Sequence, residues 1–345
     1  MIDAGGDAAP FAIDIHDIRR AMAVLRGVVR ETPLIEDHRL PEAHGGRILI
    51  KAEGLQREGS FKLRGAYNRL AAIAADRRDR GVVAWSSGNH AQGVALAARL
   101  LGMPATIVMP ADAPRVKADN TGALGAEILF YDRRTESREA IAHALVAERG
   151  ATLVPSYDDP HVIAGQGTLG LEILEQAARA EARIDQLLVC CGGGGLVAGC
   201  AVAMRAADPA IRVYAVEPAA FDDTRRSLER GERVANPPDA AGICDALMAP
   251  EPGALTFPIN RALLSGALSV TDDEVRAAMR YAFATHGLVA EPGGAVALAA
   301  VLAGKIALAG LVTVVVISGS NVDPEAFAAI LTAAGKDTLG CGRQR

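Results

Sequence analysis

The sequence has no long hydrophobic run and no leader-like start. Its longest strongly apolar run, residues 306–317, covers about 12 residues, well short of the roughly 18 that a membrane-spanning helix needs. The first residues lack the basic and apolar regions of a secretory signal peptide. We therefore expect no membrane partner and a cytoplasmic location.

Basic clusters and a cysteine framework are also missing. The 36 Lys and Arg residues are outnumbered by 41 Asp and Glu residues, and no lysine- or arginine-rich block occurs. Nucleic acid is therefore not an expected partner. The cysteine count is odd and no zinc-type Cys/His spacing occurs, so the cysteines are predicted to be reduced thiols. They are Cys190, Cys191, Cys200, Cys244 and Cys341.

Aromatic residues are few, at 4% of the 345 residues, whereas half of the chain is apolar and glycine and alanine are abundant. This composition is typical of a close-packed α/β enzyme. Strand-like and helix-like stretches alternate along the chain, which predicts parallel βαβ units. The predicted strands cover 47–51, 81–85, 104–109, 126–131, 151–155, 186–191, 211–217 and 312–317. The predicted helices cover 15–29, 68–76, 91–101, 114–124, 137–147, 167–178, 196–206, 272–286 and 294–303. Residues 1–14 are predicted to be a loose lead-in and 231–258 an irregular section.

Lys62 is the first candidate functional residue. It lies between Gly59 and Gly65, directly after an aromatic residue and at the start of a helix-like stretch. A helix amino terminus and partial burial both disfavour an ammonium ion, which would free the amine for Schiff-base chemistry. A snorkelling surface lysine is the alternative for this residue taken alone.

Three further strand ends carry polar or glycine residues, at the sheet edge where α/β proteins bind ligands. Ser86 to His90 would offer hydroxyls, an amide and backbone N–H groups to a carboxylate, although a simple helix cap is the alternative. Gly192 to Gly195 would let backbone amides converge on a phosphate. Ser318, just past the last strand, could place a hydroxyl against a ring nitrogen.

A dinucleotide site is the rival interpretation of the glycine run. Gly193, Gly195 and Ala198 fit the G-x-G-x-x-[GA] pattern, and Glu217 ends the next strand about 20 residues later. This would make the chain a nicotinamide-dependent oxidoreductase. The pattern is weak within a run of glycines, and it leaves Lys62 and Ser318 without a role.

Taken together, these motifs resemble one family. Residues 60–66 (SFKLRGA), 86–93 (SSGNHAQG), 192–195 (GGGG) and 318–319 (SG) are similar to the threonine/serine dehydratase and serine racemase group of pyridoxal-phosphate enzymes. The resemblance implies a tryptophan-synthase-β type of fold: two lobes, each an open, mostly parallel sheet flanked by helices. It further implies a large cofactor-binding domain of residues 1–80 and 156–345, a small domain of residues 81–155, and a homo-oligomer, dimer or tetramer.

The resemblance also implies roles for the motif residues. Lys62 would form the Schiff-base link to pyridoxal phosphate, with Phe61 packed near its ring. Asn89 would contact the ring hydroxyl, Gly192, Gly193, Gly194 and Gly195 the phosphate, and Ser318 the pyridine nitrogen. The substrate carboxylate would bind Ser86, Ser87, Asn89 and His90.

The implied reaction is elimination of the β-hydroxyl from a small L-hydroxy amino acid such as threonine, serine or 3-hydroxyaspartate, with Lys62 taking the α-proton. The products would be a 2-oxo acid and ammonia. Because a serine hydroxyl does not hold the pyridine nitrogen protonated, elimination would compete well against transamination. An amino-acid racemase with side elimination is the alternative.

A divalent cation is implied as well. Glu217 and Asp223, with the backbone carbonyl of Phe221 between them, match the acidic pair that family members use, and oxygen ligands suit Mg²⁺ or Ca²⁺. The alternative is that Glu217 ends a strand and Asp223 caps a helix.

Three features differ from the family pattern or from some of its members. Gly54 stands where a polar residue is more usual, and the loop 242–246 lacks the expected glycine pattern; both leave the substrate open. The chain also ends soon after Ser318, so we expect no regulatory domain and no feedback control by isoleucine.

Ser87 is the candidate for a second acid/base, and it generates the first testable prediction. Racemisation needs such a group on the face of the substrate opposite Lys62. We expect Ser87→Ala to abolish racemisation and any use of D-substrates, while elimination from L-substrates survives in part. Rates with both enantiomers measure this. An equal loss for L- and D-substrates would make Ser87 only a carboxylate ligand.

Overall fold

The structure is a computed structural model that describes residues 11–40, 45–113 and 115–333. Its strands are β1 (Leu34–Asp37), β2 (Arg47–Ala52), β3 (Val82–Trp85), β4 (Ala105–Pro110), β5 (Glu127–Tyr131), β6 (Thr152–Leu153), β7 (Gln186–Cys190), β8 (Arg212–Pro218), β9 (Gly266–Val270) and β10 (Val312–Ile317). Its helices are α1 (Ile15–Leu25), α2 (Lys62–Ala71), α3 (Asn89–Leu101), α4 (Arg115–Ala123), α5 (Arg138–Arg149), α6 (Pro160–Arg179), α7 (Gly195–Ala207), α8 (Asp223–Arg230), α9 (Thr256–Leu263), α10 (Asp272–His286), α11 (Pro292–Leu302) and α12 (Pro324–Thr332).

Two sheets organise these elements. The larger has the strand order β1-β2-β10-β7-β8-β9 and the smaller has the order β5-β4-β3-β6. Within them, the β1–β2 pair is antiparallel and the other strand pairs are parallel. Parallel strands must be covered on both faces, which explains why their sequences are nearly continuous apolar runs.

The core of the larger sheet contains an unusually apolar helix. Every residue from Pro292 to Val301 in α11 is buried, and the helix packs against strands of this sheet and against α10. A helix that is apolar on all sides is stable only when it is enclosed in this way. The sheet and α11 therefore form a rigid base for the loops that follow β7 and β10.

A buried ionic cluster joins β2, α2 and α6. The guanidinium of Arg64 donates to both oxygens of Glu53, at 2.8 Å each, and to Glu172 Oε2 at 2.9 Å. Lys51 Nζ donates to Glu172 Oε1 at 2.5 Å, and Thr32 Oγ1 donates to Glu53. Because Arg64 lies two residues after Lys62, this cluster fixes the start of α2.

The predicted fold class is confirmed, with corrections to individual elements. The helix predicted at 68–76 begins at Lys62 and ends at Ala71, and the helix predicted from Gly167 begins at Pro160. Glycines at 65, 165, 167 and 170 weaken the helical pattern in the sequence, and each lies where a Cβ would overlap a neighbouring segment. Strands β1 and β9 and helices α9 and α12 were not predicted, and a helix at the position of α8 entered only as the alternative to the metal site. Of these additions, α9 overlaps the section expected to be irregular, and only at Thr256–Pro258.

Other sequence-based expectations fare differently. No helix in the described ranges is both long and apolar enough to cross a membrane. Four of the cysteines are free and buried, as predicted, whereas Cys341 and most of the predicted lead-in lie outside the described residues. The division of the chain into two domains stays a prediction.

Candidate active site

A cavity of about 360 Å³ lies at the carboxyl ends of β3, β7 and β10. Parallel strands direct their carboxyl ends to the same edge of a sheet, so the loops after them converge there. The cavity is lined by every predicted cofactor and substrate residue, namely Phe61, Lys62, Ser86, Ser87, Asn89, His90, Gly192, Gly193, Gly194, Gly195 and Ser318. The predicted metal residues Glu217, Phe221 and Asp223 do not line it.

Lys62 is the first residue of α2, so its amine lies at the positive end of a helix dipole. Nζ donates to the carbonyl oxygen of Ser156 at 2.8 Å and lies 5.2 Å from the centre of the Phe61 ring. Burial lowers the pKa of Lys62 to about 8, while Cys190 and Glu291 act in the opposite direction. Roughly a tenth of the amine is therefore unprotonated at pH 7, far more than for an ordinary lysine.

The segment after β3 forms a helix amino terminus that faces the cavity. Helix α3 begins at Asn89, with Gly88 as the N-cap residue and no side-chain cap. The first backbone N–H groups of a helix have no partner within it, and such a terminus binds carboxylates. The hydroxyl of Ser86 accepts a hydrogen bond from the N–H of Gly88 at 3.1 Å.

The side chain of His90 is not available to bind a substrate carboxylate. Its Nε2 lies 2.9 Å from the carbonyl oxygen of Val154, which can only accept, so Nε2 carries the hydrogen. Burial lowers the pKa of His90 to about 3, so the ring is neutral and the buried Nδ1 has no hydrogen to donate. The predicted carboxylate role would therefore fall to the backbone N–H of His90.

The side chain of Asn89 is held between Glu291 and Asn321, neither of which was among the predicted site residues. Its Nδ2 donates to Glu291 Oε1, and its Oδ1 accepts from Asn321 Nδ2 at 2.7 Å. Burial raises the pKa of Glu291 to about 7. Gly319 packs so closely on this carboxylate that a Cβ at position 319 would overlap it.

Residues larger than glycine would not fit in the glycine run. A Cβ on Gly193 would overlap the ring of Tyr157, and one on Gly194, whose φ is +92°, would lie 2.5 Å from Asn260 Nδ2. Helix α7 begins at Gly195, so the run ends at a helix amino terminus. Backbone amides at such a place suit a phosphate.

Ser318 directly follows β10 and is buried. Its hydroxyl oxygen accepts a hydrogen bond from Cys190 Sγ at 3.0 Å, and its carbonyl accepts from the N–H of Phe61 at 3.2 Å. Ser318 is thereby tied both to β7 and to the segment that carries Lys62.

Two buried carboxylates mark the predicted metal position, outside the cavity. Glu217, near the end of β8, accepts from the backbone N–H groups of Thr224 and Arg225 at 2.9 and 2.8 Å. Burial first, and then the charge of Asp223, raise the pKa of Glu217 to about 8. Burial also raises the pKa of Asp223 to about 6, and its Oδ2 has no partner among the described residues. No group of three or more His, Cys, Asp or Glu side chains in these ranges is arranged to hold a metal.

Comparison with known proteins decides the family. The family described as pyridoxal-phosphate dependent enzyme matches residues 25–319. The chain belongs to this enzyme family. The match also decides against the nicotinamide-dependent alternative, and the buried amine, the glycine run and Ser318 in one cavity fit pyridoxal phosphate.

Three known proteins show which members of the pyridoxal-phosphate family this enzyme is most usefully compared with. An L-threo-3-hydroxyaspartate ammonia-lyase of Pseudomonas sp is 44% identical over 316 residues, which cover 92% of this chain and 98% of that protein. One of Saccharomyces cerevisiae is 39% identical over 317 residues, covering 92% and 95%. The structure of maize serine racemase matches with a TM-score of 0.87 and 36% identity, covering 92% of this chain and 96% of that one. The predicted resemblance to the dehydratase and racemase group is confirmed.

Several cavity residues were missed from the sequence. They include Lys117, Arg138, Tyr157, Arg233 and Glu291. Glu291 had a signal, since an acid precedes Pro292 at the start of a helix followed by two glycines, which is an unusual N-cap. The others are single polar residues in ordinary surroundings, and nothing in the sequence distinguishes them.

The lowered pKa of Lys62 generates a prediction for the cofactor-free protein. Because only the unprotonated amine attacks the cofactor aldehyde, the rate of covalent capture should rise about tenfold per pH unit below pH 8 and level off above it. Absorbance after mixing with pyridoxal phosphate measures the rate, and Lys62→Ala is the control without covalent capture. A rate that still rises steeply beyond pH 9 would contradict the buried-amine argument.

Proposed function

We propose that this pyridoxal-phosphate enzyme is an ammonia-lyase that removes the β-hydroxyl of L-threo-3-hydroxyaspartate, giving a 2-oxo dicarboxylic acid and ammonia. The observation that carries the choice of substrate is the ammonium of Lys117 above the carboxylate-binding loop. A Cβ on Gly88 would lie 3.9 Å from Lys117 Nζ. The names of the Pseudomonas and yeast relatives support the same substrate.

A substrate with two carboxylates needs two anion sites. The amino terminus of α3 supports the first. Lys117, Arg138 and Arg233 support the second, since all three line the cavity. Each is paired with an acid of the protein, Asp245, Glu139 and Glu251 respectively, so an incoming carboxylate would exchange with an internal one. A threonine or serine side chain would gain nothing from these cations.

Lys62 and the cavity walls would do the protein's part of the chemistry. Bound pyridoxal phosphate would withdraw electrons from the Cα–H bond of the substrate. Lys62 Nζ, with its lowered pKa, would accept that proton, and the amino terminus of α3 would orient the substrate through its carboxylate. Gly192 to Gly195 would hold the phosphate, Asn89 the ring hydroxyl and Ser318 the ring nitrogen.

Racemisation is a second candidate function. The hydroxyl of Ser87 lines the cavity and has no hydrogen-bond partner among the described residues, unlike the neighbouring Ser86. A free hydroxyl beside the substrate site could serve as the second acid/base. The similarity to maize serine racemase also favours this activity beside elimination.

A divalent cation at Glu217 and Asp223, with the carbonyl of Phe221, is part of the proposal. The buried, unpartnered Oδ2 of Asp223 supports it, because a cation would offset two adjacent buried carboxylates. Mg²⁺ and Ca²⁺ both accept such oxygen ligands, with water completing the shell.

We further propose a cytoplasmic homo-oligomer, dimer or tetramer. Exposed apolar side chains on the segments that carry Leu55, Phe283 and Val289 support association, since such groups are often covered by a second subunit.

The substrate proposal predicts a selective effect of Lys117→Gln. Loss of a hydrogen bond to a charged group should lower kcat/KM for L-threo-3-hydroxyaspartate by about 10- to 100-fold and leave kcat/KM for L-serine within about threefold. The matched control is Lys305→Gln, which removes another ion-paired lysine that does not line the cavity. Equal losses with both substrates would contradict the distal-carboxylate role, and a wild-type enzyme that prefers threonine or serine would contradict the substrate itself.

The metal proposal predicts that chelation lowers the unfolding temperature and that Mg²⁺ or Ca²⁺ restores it. Because protons compete for carboxylates whose pKa values are raised, the stabilisation should begin to weaken as pH falls below about 8, where Glu217 takes up a proton, and should weaken further below about 6, where Asp223 does. Asp223→Asn should not respond to either ion. An unfolding temperature and activity that are unchanged by exhaustive chelation would contradict the proposed metal site.

A further inference from the structure

One contact in the cavity has no role in the reaction described so far. The thiol of Cys190 donates to the hydroxyl oxygen of Ser318 across adjacent strands, at 3.0 Å. Both residues are buried and both line the cavity. Among the described residues, this is the one hydrogen bond of the Ser318 side chain.

The neighbouring cysteine provides a contrast. Cys190 is the last residue of β7, and Cys191 continues the extended pairing with β8 through its N–H to the carbonyl of Val216. Successive residues of extended backbone point to opposite faces, so Cys190 faces the cavity and Cys191 faces away from it. Cys191 Sγ lies 3.3 Å from Thr224 Oγ1 and does not line the cavity. Both thiols are buried. The thiol of Cys190 contacts the Ser318 hydroxyl, whereas that of Cys191 meets the site only at the backbone carbonyl of Gly192, at 3.4 Å.

The direction of the hydrogen bond matters for Ser318. A hydroxyl has one hydrogen to donate and two lone pairs. Burial raises the pKa of Cys190 to about 11, so its sulfur keeps a hydrogen, and the geometry of the pair has this hydrogen donated to Ser318 Oγ. With one lone pair of Ser318 taken up by the thiol, its own hydrogen stays free for the cavity, and accepting a bond strengthens the bond that a hydroxyl donates.

We propose that Cys190 is a positioning residue that orients the Ser318 hydroxyl as a donor to the ring nitrogen of the cofactor. This inference rests on the proposed contact between Ser318 and that nitrogen. A ring nitrogen that accepts a hydrogen bond carries no proton, which limits how far negative charge from Cα spreads into the ring. Cys190 would thereby favour elimination over transamination, acting through Ser318 rather than touching the substrate.

The test compares Cys190→Ala with Cys191→Ala, which removes an equally buried thiol from the opposite face of β7. The first readout is the pH titration of the absorbance of the bound cofactor in the resting holoenzyme. The second is the fraction of turnovers that end with the cofactor in its amine form. We expect Cys190→Ala to shift the titration midpoint and to raise the aminated fraction about 3- to 10-fold, the range typical for loss of one hydrogen bond. Cys191→Ala should change neither, and Cys190→Ser, which keeps a donor, should return both most of the way.

A double-mutant cycle with Ser318→Ala separates this inference from the proposed function. If Cys190 acts through Ser318, Cys190→Ala has no further effect on either readout once Ser318 is alanine. Should Ser318→Ala shift both readouts while Cys190→Ala leaves them at wild-type values, the inference is wrong and the role of Ser318 stands. An equal effect of Cys190→Ala with and without the Ser318 hydroxyl would also overturn it. If Ser318→Ala changes nothing, the proposed ring-nitrogen contact fails together with the inference. Melting curves of the same proteins identify any variant that does not fold. Should Cys190→Ala not fold, Cys190→Val takes its place, because it also lacks the donor and fills more of the space left by the thiol.

Discussion

The buried ion pairs around Arg64 set the position of Lys62. Arg64 and Glu53 are fully buried, and Glu172 joins them to Lys51. Removing one partner of a buried pair typically costs about 3–5 kcal/mol, because the other charge is left without compensation. The cluster joins a strand of the larger sheet to two helices, and the residue two positions before Arg64 is Lys62. The amine of Lys62 is thus anchored by charges that it does not contact.

The cavity itself depends on where the strands end. Three loops, after β3, β7 and β10, come from both sheets, and each supplies a different kind of group: helix amides, a backbone cradle and a hydroxyl. Burial then tunes the ionisable residues. It lowers the pKa of Lys62 and raises that of Glu291. Both pKa values therefore lie near neutral pH, where either group can gain or lose a proton at a small energetic cost. His90, by contrast, is removed from acid–base chemistry by the same burial.

The sequence revealed the residues that follow strands, because the parallel arrangement brings every such loop to one edge. It did not reveal groups whose role depends on distant partners. Glu291 matters because it meets Asn89, and Lys117 because it lies over Gly88 and pairs with Asp245. Neither pairing leaves a local pattern. The early start of α6 was hidden for a different reason: its glycines reduce helix propensity, and they are there because α6 crosses Arg64–Gly65 and Gly199 at backbone distance. In that helix, close packing between elements outweighs local preference.

Gly319 limits how the site can change. Its missing side chain is what lets Glu291 approach, and Glu291 in turn holds the amide of Asn89 in place. Any larger residue at position 319 would push the carboxylate away and crowd the amide itself, since a Cβ there would lie 3.1 Å from Asn89 Nδ2. The amide would then be displaced beside the proposed cofactor ring. A directed-evolution library intended to broaden substrate range should therefore vary the cationic residues of the cavity, at positions 117, 138 and 233, and keep Gly319. Changes at those three positions leave the contact between Glu291 and Asn89 intact.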